Sequence, residues 1–156
     1  MDLPALEHFD GDWNDYVDKL YGIFLETIVY KPLIFNGLPV RYQRRPETDG
    51  KGYSFWHMIQ EGNIEDERTP DFRRCERIRW FSWIIENAQS TDEISWWENK
   101  RGRNTHVVLW LESEQFAVIL AKRKDYYLIK TAYVVKSGRQ RAFRKERAKF
   151  LESLKS

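Results

Sequence analysis

Apolar residues follow a helical period through the first half of this chain and a two-residue period through much of the second. Trp13, Val17, Leu20, Phe24 and Ile28 recur at three- and four-residue steps. That spacing predicts an amphipathic helix over residues 11–29, with Asp10 or Asp12 as its N-cap and Pro32 barring continuation. Leu33-Ile34-Phe35 and Leu38-Pro39-Val40-Arg41-Tyr42 then flank Asn36-Gly37. Two extended pieces around an Asn-Gly turn predict a hairpin, and Pro39 assigns the second strand to an edge. Residues 46–52, rich in proline, glycine and polar groups, read as a flexible loop. Thr69-Pro70-Asp71 has the composition of a helix start: a hydroxyl cap, a proline in the first position and an acid in the first turn. The stripe Phe72, Cys75, Ile78, Phe81, Ile84, Ile85 and Ala88 carries that helix to about residue 88, with Arg73, Arg74 and Arg77 on its other side.

Beyond residue 90 the pattern alternates. Residues 94–97, 105–111, 115–121 and 126–135 are four extended runs with short connections, the spacing of an antiparallel meander. A last helix is expected over residues 139–154. The expected class is α+β: N-terminal helices packed on a four-stranded antiparallel meander with a C-terminal helix, in one domain spanning residues 1–156. Strict alternation in the last strand places Tyr127, Ile129, Thr131, Tyr133 and Val135 on one face and Tyr126, Leu128, Lys130, Ala132 and Val134 on the other. Both faces thus carry polar groups within apolar rows, which a purely structural strand does not require.

Composition narrows the class. A chain of 156 residues can bury roughly two-thirds of its extended surface without covalent staples. The single Cys75 excludes an intramolecular disulfide and a multi-cysteine metal cage, in keeping with a reducing cytoplasm. The first residues lack a basic stretch followed by an apolar core, and no eighteen apolar residues run together, so neither export nor a membrane span is expected. The net charge of +2 hides a strong polarity. Residues 1–30 hold seven acids against Lys19, whereas residues 121–156 hold twelve bases against three acids. A basic end of that strength attracts polyanions. The competing reading is a solvated basic helix paired with the acidic N-terminal one.

Candidate chemistry centres on His57, in the aromatic run 53–59 beside the glycine-containing loop. Histidine exchanges protons near neutrality, and His8 and His106 stand in less distinctive settings, at a terminus and at a strand start. A backbone-bonded structural histidine is the alternative. Arg68, Arg73, Arg74, Arg77 and Arg79 offer guanidinium groups suited to phosphate, although Glu65, Glu67, Asp71 and Glu76 are interleaved and offer ordinary ion pairs instead. Lys122-Arg123-Lys124, in the tight turn before the last strand, is a third candidate, with Lys122 or Arg123 as phosphate clamp and a solvated hairpin tip as the alternative. Trp96 and Trp97 with Lys100, Arg101 and Arg103 could stack bases and neutralise phosphates, but neighbours on a strand point to opposite faces, so core burial of at least one of the two is the stronger expectation. Metal-ligand spacings and phosphate-binding glycine loops are absent from the sequence, so no cofactor is expected. Metal-free RNA cleavage needs a base, an acid and cations for the charge that builds on phosphorus. His57, Thr131 and Tyr133 are the proposed catalytic set, with Lys122, Arg123, Arg73, Arg77, Trp97 and Arg101 binding substrate.

The segments Phe55-Trp56-His57-Met58-Ile59, Arg68-Thr69-Pro70-Asp71-Phe72-Arg73-Arg74-Cys75-Glu76-Arg77-Ile78, Trp97-Glu98-Asn99-Lys100-Arg101 and Tyr127-Leu128-Ile129-Lys130-Thr131-Ala132-Tyr133 together resemble phage- and mobile-element-associated proteins of the barnase, EndoU, colicin and RelE-like nuclease superfamily, over residues from about 30 to 150. The resemblance implies helices ahead of a four-strand meander, and His57, Thr131 and Tyr133 lining an RNA-cleaving site. The expected function is a toxin-like, metal-independent endoribonuclease, a cytoplasmic hydrolase acting by 2′-hydroxyl attack. RNA is its expected partner, with an inhibitor or other partner protein as a second. The alternative is a non-catalytic nucleic-acid-binding or protein-interaction module of a phage or mobile element.

Overall fold

The computed structural model describes residues 2–61 and 69–155, so Glu65, Glu67 and Arg68 of the arginine-rich run lie outside the described residues. Helix α1 (Trp13–Phe24) begins at Asp12, whose carboxylate accepts the Asp15 N–H at 3.0 Å, satisfying one of the amides that a helix start leaves unpaired. Its apolar spacing turns Val17, Leu20 and Phe24 into the core. The predicted helix keeps its span but changes winding, since Leu25–Val29 is a π-helical turn. Strands β1 (Ile34–Phe35) and β2 (Leu38–Arg41) form the expected hairpin. Asn36 and Gly37 take φ of 51° and 82°, the left-handed pair that an Asn-Gly turn tolerates. Residues 46–52, expected to be flexible, make a second tight turn. Thr48 and Lys51 exchange backbone hydrogen bonds, both 2.9 Å, and Lys51 Nζ meets Asp18 at 2.9 Å. Helix α2 (Tyr53–Ile59) follows directly.

Strand β3 (Gln60–Glu61) pairs antiparallel with β4 (Thr69–Pro70). Thr69 and Pro70 are therefore extended and do not start the next helix. Asp71 is the cap, its carboxylate accepting from the N–H of Arg73 at 3.0 Å and of Arg74 at 3.4 Å. Its own N–H donates to the Ile59 carbonyl at 2.8 Å, holding the preceding residues on the strand. The single long helix expected here is two, α3 (Phe72–Glu76) and α4 (Ile78–Asn87), divided at Arg77, where ψ is 22°. Cys75, Ile78, Phe81, Ile84, Ile85 and Ala88 are buried as their spacing requires, but Phe72 is 44% exposed.

Strands β5 (Ile94–Arg101), β6 (Asn104–Leu111), β7 (Phe116–Lys122) and β8 (Tyr127–Val134) pair antiparallel in sequence order. The sheet is nevertheless six-stranded, in the order β1-β2-β8-β7-β6-β5. The N-terminal hairpin extends it because β2 joins β8 in parallel, through Val40 opposite Tyr127 and Arg41 opposite Leu128. Pro39 is not on an edge strand. It pairs with Ile34 of β1 and stands outside the β2–β8 ladder, so its missing N–H removes no bond there. The sheet curls far enough for Phe35 of β1 and Trp96 of β5, at its two ends, to meet edge to face at 5.1 Å.

Helices α1 to α4 pack on one face of this sheet, and α5 (Ser137–Ser153) packs on the other through Phe143 against Trp97 and Trp110. The acidic N-terminal segment does not neutralise α5. Glu7 instead holds Lys19 at 3.0 Å and Arg79 at 2.7 Å, and Asp18 holds Lys51, all on the opposite side of the sheet. Among the described residues no helix is long and apolar enough to cross a membrane.

One irregularity positions everything that follows. Ile119 lies opposite Thr131 while the next residue of β7, Leu120, lies opposite Ile129. Lys130 is the extra residue of a β-bulge. The strict alternation expected for β8 therefore fails: Tyr127 and Ile129 face the large core, whereas Thr131 and Tyr133 turn to the α5 side.

Candidate functional site

On the α5 side, Phe143 covers only one end of the sheet. The other end, floored by Val108 and Ile119, is the base of a cleft of about 1010 Å³. Its walls come from elements distant in sequence. Helix α2 supplies Tyr53 and His57, and α3 supplies Arg73 and Arg74. Strands β5 and β6 supply Arg101 and His106, the bulged β8 supplies Lys130, Thr131 and Tyr133, and the start of α5 supplies Lys136 and Arg139. Among the described residues, six lysine and arginine side chains thus line a cavity with one carboxylate, Asp71, which is itself paired to Arg74 at 3.3 Å. Concave walls concentrate such a field, and an anion is the complementary occupant.

Short-range order in the cleft runs through Thr131. Its hydroxyl donates to the His57 carbonyl oxygen at 3.2 Å and accepts from Arg74 Nη1 at 3.3 Å. Arg74 also donates to the Gln60 carbonyl. A side chain so engaged fixes α2, α3 and β8 relative to one another, so Thr131 is a positioning residue. The His57 ring stacks on Tyr53, one helical turn earlier, with centroids 3.9 Å apart.

Two groups have shifted protonation. Burial, joined by the charges of Arg101, Lys130 and Arg123, lowers the His106 pKa below its ordinary 6.5, favouring the neutral imidazole that can accept a proton. Burial raises the Tyr133 phenol above its ordinary range, against the opposing pull of Arg139 and Arg101. Tyr133 is consequently a hydrogen-bond donor at neutral pH. Among the described residues no group of three or more His, Cys, Asp or Glu is placed to hold a metal ion.

Of the nine residues proposed from the sequence as the catalytic and substrate-binding set, five come together here: His57, Thr131, Tyr133, Arg73 and Arg101. Four do not. Trp97 is fully buried, its indole N–H donating to Glu146 at 3.1 Å, because alternation along β5 turns it beneath α5. Arg77 sits where α3 meets α4 and folds back onto the Trp80 ring and the Arg73 carbonyl. Lys122 is held by Glu98 at 2.8 Å. Arg123, in the turn before β8, lies outside the cleft wall and acts on it only through its charge on His106.

His106 and Arg139 also line the cleft without having been among the expected site residues, and Arg74, expected only as one of a run of phosphate-binding arginines, joins them. His106 carried a usable signal, since it stands two and four residues before Val108 and Trp110 and so shares their face. Arg139 carried none, because its place depends on where α5 crosses the sheet. Compared with protein-family models, with curated proteins and with solved structures, the chain matches none of them.

Proposed function

We propose that this protein cleaves RNA without a metal ion, by attack of a 2′-hydroxyl on the adjacent phosphorus, and that the basic cleft is where it does so. The observation that carries the reading is the convergence of two imidazoles, a protonated phenol and six cationic side chains in one concavity. In this scheme His106, held neutral, takes the proton of the 2′-hydroxyl as its oxygen attacks phosphorus. His57 gives a proton to the departing 5′-oxygen. The products are a 2′,3′-cyclic phosphate and a free 5′-hydroxyl. Charge accumulating on the non-bridging oxygens is met by Lys130, Arg73 and Arg101, with Tyr133 donating a hydrogen bond. The N-terminus of α5, which has no side-chain cap, opens at the same rim beside Lys136 and adds amide donors. Such chemistry fits the nuclease superfamily that the chain resembles in sequence.

The test is incubation of a mixed RNA pool with the wild type, His57→Ala and His106→Ala in the presence of EDTA. Cutting by the wild type that leaves 2′,3′-cyclic phosphate ends, lost in both variants, is the expected result. Intact RNA under conditions where the protein binds it overturns cleavage and leaves a nucleic-acid-binding module using the same cleft.

A further inference from the structure

Nine phenylalanines occur in the sequence, and among the described residues only Phe9 and Phe72 are exposed, at 42% and 44%. They stand together, with ring centroids 5.3 Å apart. Trp13 completes the patch, 5.7 Å from Phe72 and tilted nearly edge-on to it. Exposing large rings to water is unfavourable, so two exposed rings beside the half-buried Trp13 call for an occupant. Its position suggests one. Phe72 is both a member of the patch and part of the cleft wall, between Asp71 and the exposed cation Arg73.

The patch is also held in place. The N-terminal segment that carries Phe9 is tied to the helices by the Glu7 N–H donating to the Glu76 carbonyl at 2.8 Å and by Trp80 Nε1 donating to the Pro4 carbonyl at 2.9 Å. The Tyr16 hydroxyl adds a bond to the Glu7 carbonyl at 2.6 Å, and Asp71 caps the helix that begins with Phe72. Aromatic faces fixed at the lip of a cationic cleft offer what an unpaired nucleotide needs, a surface for the base next to positive charge for its phosphate. A duplex has no free base face to offer.

We infer that the Phe9–Trp13–Phe72 patch is a stacking site for an unpaired nucleobase, so that the cleft takes single-stranded in preference to duplex nucleic acid. The inference rests on the cleft being a phosphodiester site but does not need it to cut. Phosphates in the cleft would set the backbone's path, and the neighbouring base would lie on Phe72.

The probe is a short 2′-deoxy oligonucleotide carrying 2-aminopurine, which lacks the attacking hydroxyl and stays intact, used single-stranded and as a blunt duplex. Binding of the single strand should quench 2-aminopurine fluorescence and exceed that of the duplex. Phe72→Ala should weaken single-strand binding by about tenfold, the effect of losing one base–aromatic contact, leave duplex binding unchanged and leave the thermal melt near wild type. Phe72→Trp should restore it. Salt-sensitive binding with no quenching, or no loss in either Phe72→Ala or Phe9→Ala, overturns the inference while the cleft reading stands. Absence of binding to both forms at low salt overturns the two together.

Discussion

Thr131 Oγ1 donates to the carbonyl oxygen of His57 at 3.2 Å, joining residues 74 apart in sequence. The same hydroxyl accepts from Arg74, so one small side chain ties the bulged strand to both helices that wall the cleft. Thr131→Ala would leave a partly buried carbonyl and a guanidinium short of a partner. Losses of this kind are typically about 1–2 kcal/mol, so urea unfolding should show that decrease, and Thr131→Ser should recover most of it. Lost RNA cleavage in Thr131→Ala at unchanged stability would instead mean that the hydroxyl touches substrate.

His106 makes the cleft pH-sensitive in a defined direction. Its folded pKa lies below 6.5, so the imidazole stays neutral to lower pH than in the unfolded chain. Between that lowered pKa and 6.5 the unfolded state binds the extra proton more readily, so His106 lowers stability as pH falls through this window, and below it both states are protonated. An NMR titration of the ring should give a midpoint below 6.5. Arg101→Gln, which removes one of the repelling charges, should raise that midpoint, and inorganic phosphate bound in the cleft should raise it too.

Binding of a polyanion should separate the two groups of arginines and lysines. Arg73→Gln and Arg101→Gln remove cations that line the cleft, and each should weaken single-stranded RNA binding and flatten its salt dependence, since fewer counterions are released. Arg77→Gln and Lys122→Gln remove charges already engaged with Trp80 and Glu98 and should change binding little. Fluorescence anisotropy across a salt series measures all four.

Much of this architecture was written in local sequence, and what was not depended on contacts made only after folding. The Asp12 cap, the Asn36-Gly37 hairpin and the antiparallel strands β5 to β8, apart from the bulge in β8, follow from periods and turn residues that act within a few positions. The parallel joining of β2 to β8 does not, because it is set by how Val40 and Tyr127 meet in the core, and a four-strand sheet was the natural expectation without it. Thr69 had the chemistry of a helix cap and lost the role to Asp71, whose side chain reaches two first-turn amides. In the site, His57 and Tyr133 were marked by polar chemistry in an apolar setting. Trp97 was the harder case: strand alternation predicts that one of Trp96 and Trp97 is core, and the position of α5 over Trp97 decides that it is the fully buried one.

That difference makes Trp97 a control for the cleft. Trp97→Ala should remove packing against Phe143 and Trp110 and cost about 3–5 kcal/mol in urea unfolding, the usual range for a buried indole. At temperatures where the variant remains folded, its affinity for single-stranded RNA should match that of the wild type.

The bulge at Lys130 supplies the most direct test of how the fold makes the site. With the extra residue present, Ile129 faces the core and Thr131 the cleft. Lys130→Ala keeps the residue count and the register, so it should melt like the wild type and lose only a cation from the cleft, seen as weaker RNA binding. Deleting Lys130 makes Thr131 follow Ile129 directly, and unbroken alternation then keeps Ile129 and Ala132 toward the core and Thr131 and Tyr133 toward the cleft, with Ile119 and Leu120 keeping their partners. The deletion should therefore fold in the same register and weaken RNA binding about as much as Lys130→Ala. A deletion variant that melts far below Lys130→Ala, or that loses binding altogether, would mean that the local twist of the bulge itself holds β8 against the cleft walls.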